Sequence, residues 1–509
     1  MSHKFTWLLG WSTCLFCVLL SGGAVADQLT TVTTPSTPTT RSTKADTLPV
    51  VTKLATKYDP RQLHQTTPVQ NQGALNLCWA YTANDVIALS LGKQQATTYQ
   101  FSANYYNYLL ATNAFSDVRN PLAQNRTLDS SGDDSLAEYL AFLGYTPVRQ
   151  QRFKTPRLAD QDVTVASSKL IKLRQAGIKA DIQAVYTIAS QQTASEAIIK
   201  HRTALIKSDV KHYGAVSVAI NANKTFDYLK RTHPQYSQKL SNGQVTTFIP
   251  IQALSKLPIN YDNGWKQLTF DHQLTIVGWD DNYSKNNFMQ KPHYNGAFLV
   301  KNTWGTSVLE KGYAWMSYED LDLLQSDLHS VKTGRYVANH QYQQVNGATN
   351  AFTTLRKAPY TFIATRYRTG AKASKLTRFG VYTTQNNVPY QLYVTTRRLN
   401  TQHVTSLKGF TLVSRGTLRR AGLQKINIKK PYSLAKKQAF TLVLRLNNSA
   451  QRHYILPVQL ASYRQVVNYP YVTRGTSYLS QTTRHLQWQN YSKNYHVNFY
   501  LLGYTQTMP

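Results

Sequence analysis

The sequence predicts two folded units in tandem: an α+β unit over residues 51–335 and an all-β sandwich over 336–509. Three observations lead there. From Val51 to Asp327, helix-spaced stretches such as Asp134–Gly144 alternate with short apolar strand-like runs such as 215–220 and 296–300. From about residue 340 the period changes to two, as in 391–394, 440–444 and 498–501, with turn residues such as Asn386-Asn387 and Asn447-Asn448 between the runs. The acids stop at the same place: residues 340–509 hold no Asp or Glu but 24 Lys and Arg. A chain of 509 residues that is 42% hydrophobic and 12% aromatic has ample material for more than one buried core, which excludes a fully disordered chain.

The N-terminus carries its own signal. Lys4 precedes a mostly apolar run, Phe5 to Leu20, and Ala24-Val25-Ala26 forms a small-x-small cleavage pattern. Residues 1–26 therefore read as a secretory signal peptide; the run is short for a membrane span. No later segment has the ~18 uncharged apolar residues that a span needs, so no transmembrane anchor is expected after cleavage. Residues 27–50 are a Thr/Ser/Pro-rich linker with almost nothing to bury. Of the three cysteines, Cys14 and Cys17 lie in the signal segment, leaving Cys78 as the one thiol of the exported chain. A lone thiol in an oxidising compartment cannot form an internal disulfide and is a liability unless it is used.

The formal net charge is +33. Such an excess favours polyanionic surroundings. For an exported protein, an anionic cell-wall polymer or polysaccharide is a more available partner than nucleic acid. Basic pairs recur in the second unit at Arg397-Arg398, Arg419-Arg420, Lys429-Lys430 and Lys436-Lys437. The lack of acids there excludes a calcium site built from carboxylates of that unit. No C-terminal sortase-type anchor is visible, so attachment to a surface would be non-covalent.

Chemistry concentrates around Cys78. The segment 71–81 reads Asn-Gln-Gly-Ala-Leu-Asn-Leu-Cys-Trp-Ala-Tyr, followed by a helical stripe of Ala80, Ala83 and Ile87. Cys78 thus falls at a helix N-terminus, where the dipole and free N–H groups favour a thiolate. Such a nucleophile needs a base. His272 opens a strand-like run 194 residues later, and Asn302 follows after a further 30, within Lys301-Asn302-Thr303-Trp304-Gly305. An asparagine can accept from the imidazole and hold its tautomer.

In their order and spacing these segments resemble the papain-like (cathepsin-type) cysteine peptidase family. The likeness covers about residues 58–320. It extends to Phe101-Ser102, to Tyr213–Ile220 and to Gly312-Tyr313. The resemblance implies an α+β papain-like two-lobed catalytic domain followed by an all-β sandwich. It implies Cys78 as nucleophile, His272 as ion-pair partner and general acid/base, and Asn302 as the group that orients His272. Gln72 is implied as an oxyanion donor together with the Cys78 N–H. Trp304 and Trp79 are supporting residues, Trp304 covering the Asn302–His272 bond. Asp271 reads as structural or modulating. The substrate would be a protein or peptide, and the chemistry needs no cofactor and no metal. The stretch from about 347 to 503 also resembles, more weakly, the lectin-like β-sandwich of some secreted prokaryotic members. There Trp488, Tyr390 and Tyr471 could stack on sugars, with core packing the favoured reading.

The sequence departs from the family at several points. Leu75 stands where many members have a disulfide cysteine. The glycine-rich substrate strand is reduced to Ser131-Gly132-Asp133-Asp134, and Thr306–Leu309 lacks the usual second tryptophan. The segment between Ala26 and Tyr58 is too short and polar for an inhibitory prodomain. Two other functions remain open: a cell-wall peptidoglycan amidase or endopeptidase using the same Cys–His logic, and a surface adhesin whose catalysis has decayed.

Overall fold

A computed structural model describes residues 54–92, 99–111, 134–152, 172, 175–191, 193–230, 233–257, 266, 268–338, 340–342, 350–356, 359–399, 404–447, 453–460, 477–481, 485–494 and 497–508. The expected signal peptide, the linker, Ser131–Asp133 and Tyr471 lie outside them.

The first unit splits into a helical part and a sheet part. Helices Cys78–Ser90, Ala103–Ala111 and Asp134–Phe142 pack together through Trp79, Tyr105, Tyr106, Tyr139 and Phe142. The Cys78–Ser90 helix is buried on nearly every face, which suits a central rather than a surface helix. Strands Val216–Ile220, His272–Asp280, Ala297–Lys301 and Tyr313–Ser317 form the other part around Val216, Val218, Leu274, Ile276, Val300 and Met316. Helix Glu196–Tyr213 packs on this sheet through Ile206 and Val210. Ser195 caps its N-terminus on Ile198 N–H, and Gly214 ends it at φ +94°, a left-handed position suited to glycine.

The second unit is a sandwich. One layer is the six-stranded sheet built on Tyr360–Arg368, Val388–Thr395, Thr411–Leu418 and Ala439–Asn447. The facing layer contains Ser374–Thr383, Gly422–Leu434 and Leu501–Thr507. Alternate residues Phe440, Leu442, Leu444 and Leu446 point inward against Leu376, Phe379, Val381 and Leu501, as a half-period of two requires. Trp488 is 1% exposed and donates its indole N–H to Val404 O, and Tyr390 is 7% exposed with its hydroxyl on Ser414. Both are core residues, not stacking platforms.

The two units share one continuous sheet. Strand Gly422–Leu434 of the sandwich pairs antiparallel with Ala180–Ile188 of the first unit, at Gly422↔Tyr186, Leu423↔Val185 and Gln424↔Ala184. From there the sheet passes through Leu328–Arg335 and Val216–Ile220 to the His272–Asp280 strand. Gly422 sits at φ +116°, and a Cβ there would collide with the Val185 carbonyl oxygen, so the strands meet closely only because this residue is glycine. Leu423, Leu502 and Tyr504 join the same apolar cluster as Leu143, Ile182 and Val331. Two ion-pair sets cross the seam. Arg378 and Lys425 both bond Asp181, the lysine at 2.9 Å, and Arg420 grips Asp209 with two bonds of 2.6 and 2.7 Å.

The run around residue 500, continuous by pattern, is two strands: Val497–Phe499 in a three-stranded sheet and Leu501–Thr507 in the large one. The chain changes sheet at Tyr500, whose buried ring lies edge-on against Tyr139 and Tyr382. No helix among the described residues is long and apolar enough to cross a membrane.

Candidate active site

Cys78 is the first residue of its helix, with Leu77 at the cap position and no side chain capping the N-terminus. The free first-turn N–H groups therefore face the sulfur. The thiol accepts backbone hydrogen bonds from Trp79 and Gln273. Gln273 directly follows His272, so the helix and the histidine strand meet at the sulfur. Trp79 itself is fully buried in the helical core.

A buried network fixes this meeting. Asp85 lies two helical turns below Cys78, on the same face. It accepts from Thr67 Oγ1 at 2.7 Å and from Lys301 Nζ at 2.7 Å, and Lys301 also reaches Thr67 Oγ1 at 2.5 Å. Burial pulls the Lys301 ammonium below its ordinary pKa against the raising effect of Asp85. Lys301 immediately precedes Asn302, so one ion pair ties the nucleophile's helix to the strand that delivers the asparagine.

His272 Nε2 bonds Asn302 Oδ1 at 2.8 Å, and the same oxygen accepts from Thr303 N–H at 2.6 Å. With Nε2 donating, the other ring nitrogen is free to take a proton. The Trp304 ring stacks on the imidazole, centroids 4.6 Å apart and planes 26° off parallel. Phe226 abuts Trp304 edge-on. His272 is 5% and Asn302 1% exposed, so the bond is shielded from water.

Gln72 is held from the same segment. Its N–H donates to Thr303 O at 2.8 Å, and Gly305 N–H donates to Gln70 O at 3.0 Å. Its side-chain Oε1 accepts from Thr303 Oγ1 at 2.5 Å, and Nε2 donates to Leu75 O at 2.7 Å. An amide nitrogen carries two hydrogens, so one remains for a ligand. Thr303 was not singled out by sequence. Its hydroxyl stands where the papain-like pattern that this segment resembles has a serine, and that shared hydroxyl was the available signal. Leu75 packs against the main apolar cluster, filling its place by burial.

Burial acts on both reacting groups. It pushes the Cys78 thiol up to about 11, with Asp271 and Asp134 adding to the rise, and pulls the His272 imidazole down to about 4. Each ion alone is disfavoured in this dry site. A thiolate here would need an imidazolium beside it to offset the desolvation of each.

A second polar cluster adjoins the site. Gln273 Nε2 donates to Asp134 Oδ1 at 3.0 Å, and His329 Nδ1 lies 3.4 Å from Asp134 and 3.5 Å from Glu138. Among the described residues, Asp134, Glu138 and His329 are the set grouped closely enough to hold a cation, with ligand atoms within 4.8 Å. A hydrogen bond from His329 to Asp134, with Glu138 beside it, accounts for the same grouping. Asp271 is held by other partners: it accepts from Ala222 N–H at 2.7 Å and Asn223 Nδ2 at 2.9 Å.

Comparison with solved structures fixes the architecture. The cysteine protease and lectin-like domains of Cwp84, a surface layer associated protein of Clostridium difficile, superpose with a TM-score of 0.65 at 20% identity, covering 90% of each chain. Cwp84 after propeptide cleavage matches equally, over 89% of this chain and 99% of that one. The chain has the fold of a papain-like cysteine protease joined to a lectin-like domain. Residues 342–505 also match the lectin-like domain family. No curated protein sequence matches the chain. The shared sheet therefore joins the protease-like domain to the lectin-like domain.

Proposed function

We propose that the protein is a secreted cysteine endopeptidase held at an anionic surface by its lectin-like domain. One observation carries the reading: a buried His272–Asn302 pair roofed by Trp304, on the strand whose next N–H bonds the sulfur of Cys78. The neutral thiol–imidazole pair is the resting form. Transfer of the thiol proton to His272 gives the thiolate, which attacks the peptide carbonyl carbon. The C=O bond opens to an oxyanion, facing the Cys78 N–H and the remaining Gln72 amide hydrogen. Collapse breaks the C–N bond, and His272 returns its proton to the leaving amine, leaving a thioester. Water, deprotonated by His272, then releases the acid and restores the thiol. Asn302 keeps the ring oriented, and Thr303 orients the Gln72 amide through its carbonyl oxygen. Loss of one oxyanion donor costs about 3–4 kcal/mol in such transition states.

The surface-layer association of Cwp84 agrees with the signal-like N-terminus and the excess of cations. A reducing medium favours activity, since an oxidised Cys78 cannot attack. The test is labelling with an epoxysuccinyl thiol probe under reducing conditions, alongside peptide hydrolysis. The expected result is labelling at Cys78 that His272→Ala removes, with hydrolysis lost by about 10³-fold or more in Cys78→Ala and His272→Ala. Labelling that ignores His272→Ala, or none at all, overturns the reading.

A further inference from the structure

The lectin-like domain carries far more positive charge than its own contacts use. Among the described residues, Arg378, Lys425 and Arg420 reach acids, and both acids, Asp181 and Asp209, belong to the other domain. The remaining cations are not spread evenly. Turn 369–373 and turn 435–438 lie side by side: Thr369 N–H donates to Gln438 O at 2.9 Å, and Lys437 N–H donates to Gly370 O at 2.8 Å. Their close approach brings Arg368, Lys372, Lys436 and Lys437 together, all exposed. Lys375, paired in register with Ser433, extends the group along the sheet.

A bulge enlarges it. Leu376 pairs with Tyr432 and Arg378 with Asn427, so the single residue Thr377 faces four on the opposite strand. The extra length throws out Lys429, Lys430 and Pro431, all exposed. The turn at 435–438 is also built rather than loose. Lys437 adopts φ +53°, a conformation that lysine rarely takes. Three bonds fix it there: Arg368 Nε to Lys437 O at 2.9 Å, Thr369 Oγ1 to Ala435 O at 2.6 Å, and Ala435 N–H to Gln438 Oε1 at 2.7 Å.

We propose that this end of the sandwich is the docking surface for a linear phosphodiester polymer of the polyol-phosphate kind found in cell walls. The inference rests on the anchoring half of the function above and gives it a place and a ligand class. Six of the seven cations are lysines, which meet phosphates as point charges, whereas planar bidentate recognition calls for arginine. Among the described residues of the patch the one aromatic, Tyr432, is half-buried against the sandwich core, so the patch lacks the row of exposed rings on which single-stranded nucleic-acid readers stack nucleobases. A flexible chain of singly charged phosphates needs only a row of cations. Its binding is driven by counterion release and therefore falls steeply with salt.

The test uses full-length protein carrying Cys78→Ala, so that binding is read independently of hydrolysis. Purified polyglycerol-phosphate is titrated at about 50 and 200 mM salt. The patch variant combines Lys429→Gln, Lys430→Gln, Lys436→Gln and Lys437→Gln. A control removes equal charge from the other sheet, with Arg397→Gln, Lys408→Gln, Arg415→Gln and Arg419→Gln. The patch variant is expected to weaken binding by about 10²–10³-fold, with the control within about threefold of the parent protein. Equal losses in both variants overturn the patch but leave an anionic anchor standing. No binding by the parent protein at low salt overturns both. Binding that survives about 0.5 M salt, or tighter binding of single-stranded DNA of equal charge, overturns the proposed ligand.

Discussion

In the protease-like domain, Asp85, Asp209, Asp227 and Asp320 each accept two or more hydrogen bonds, whereas the lectin-like domain has no carboxylate side chain anywhere in residues 340–509. The contrast separates two ways of making a shape. Asp227 holds a turn by taking the N–H groups of Gln235, Tyr236 and Ser237, and Asp85 joins a helix to a strand. Charge there is internal and sets geometry. In the sandwich, alternation of apolar residues sets the geometry, and the charge is left facing solvent. The seam is where the two schemes depend on each other, because the sandwich's buried cations have no counterions except those of its neighbour.

The sharpest way to break this contrast is at Asp181. Its removal takes from the buried Arg378 and Lys425 the carboxylate that both bond. Breaking a buried pair from one side costs about 3–5 kcal/mol. Asp181→Ala should lower the unfolding free energy in urea by that amount, with both domains melting in one transition because a single sheet joins them. A loss below about 1 kcal/mol would mean that the seam is wet and its ion pairs behave as surface ones.

Acid separates the domains next, with a somewhat smaller effect. His272 holds its folded pKa at about 4, below the ordinary 6.5. Above pH 6.5 both folded and unfolded forms are neutral, and there is no contribution. As pH falls from 6.5 towards 4 the unfolded chain takes a proton that the folded site refuses, so stability is lost across that window, by about 3 kcal/mol at its end. Asp322, raised by burial, titrates with the opposite sign. The readout is therefore the difference between the parent protein and His272→Gln. The parent should lose more stability between pH 6.5 and 4, and parallel curves would refute a buried neutral imidazole.

Legibility in the sequence follows from how local each feature is. Cys78, His272 and Asn302 could be named because each sits in a short segment whose residue types make chemical sense alone. Thr303 could not, because its value lies in the reach of its hydroxyl to Gln72, 231 residues away in sequence. The Asp85–Lys301 tie and the Asp134–Gln273–His329 cluster were hidden for the same reason. The two-domain plan was legible because the hydrophobic period and the acid content change together near residue 340. The shared sheet was not: Gly422–Gln424 reads as any edge strand, and only the close approach to Val185 explains the glycine. Tyr500 marks a sheet change that a period-two pattern cannot express, since both sides of the break alternate normally.

The smallest expected effect tests the other side of the contrast. If the exposed lysines of the sandwich serve a ligand and not the fold, removing them should leave stability intact. Among the described residues Lys429, Lys430, Lys436 and Lys437 form no salt bridge, and neighbouring like charges repel. The combined glutamine variant should therefore unfold within about 0.5 kcal/mol of the parent in low salt, with any change towards greater stability. Added salt should raise the parent's melting temperature more than the variant's, because it screens a repulsion that the variant no longer has. A variant that melts well below the parent would place these lysines among the fold's supports, and the steep charge gradient along the chain would then need a structural explanation. Equal stability, together with the loss of polymer binding, would mean that the sandwich tolerates its own repulsion at rest and relieves it when a polyanion docks.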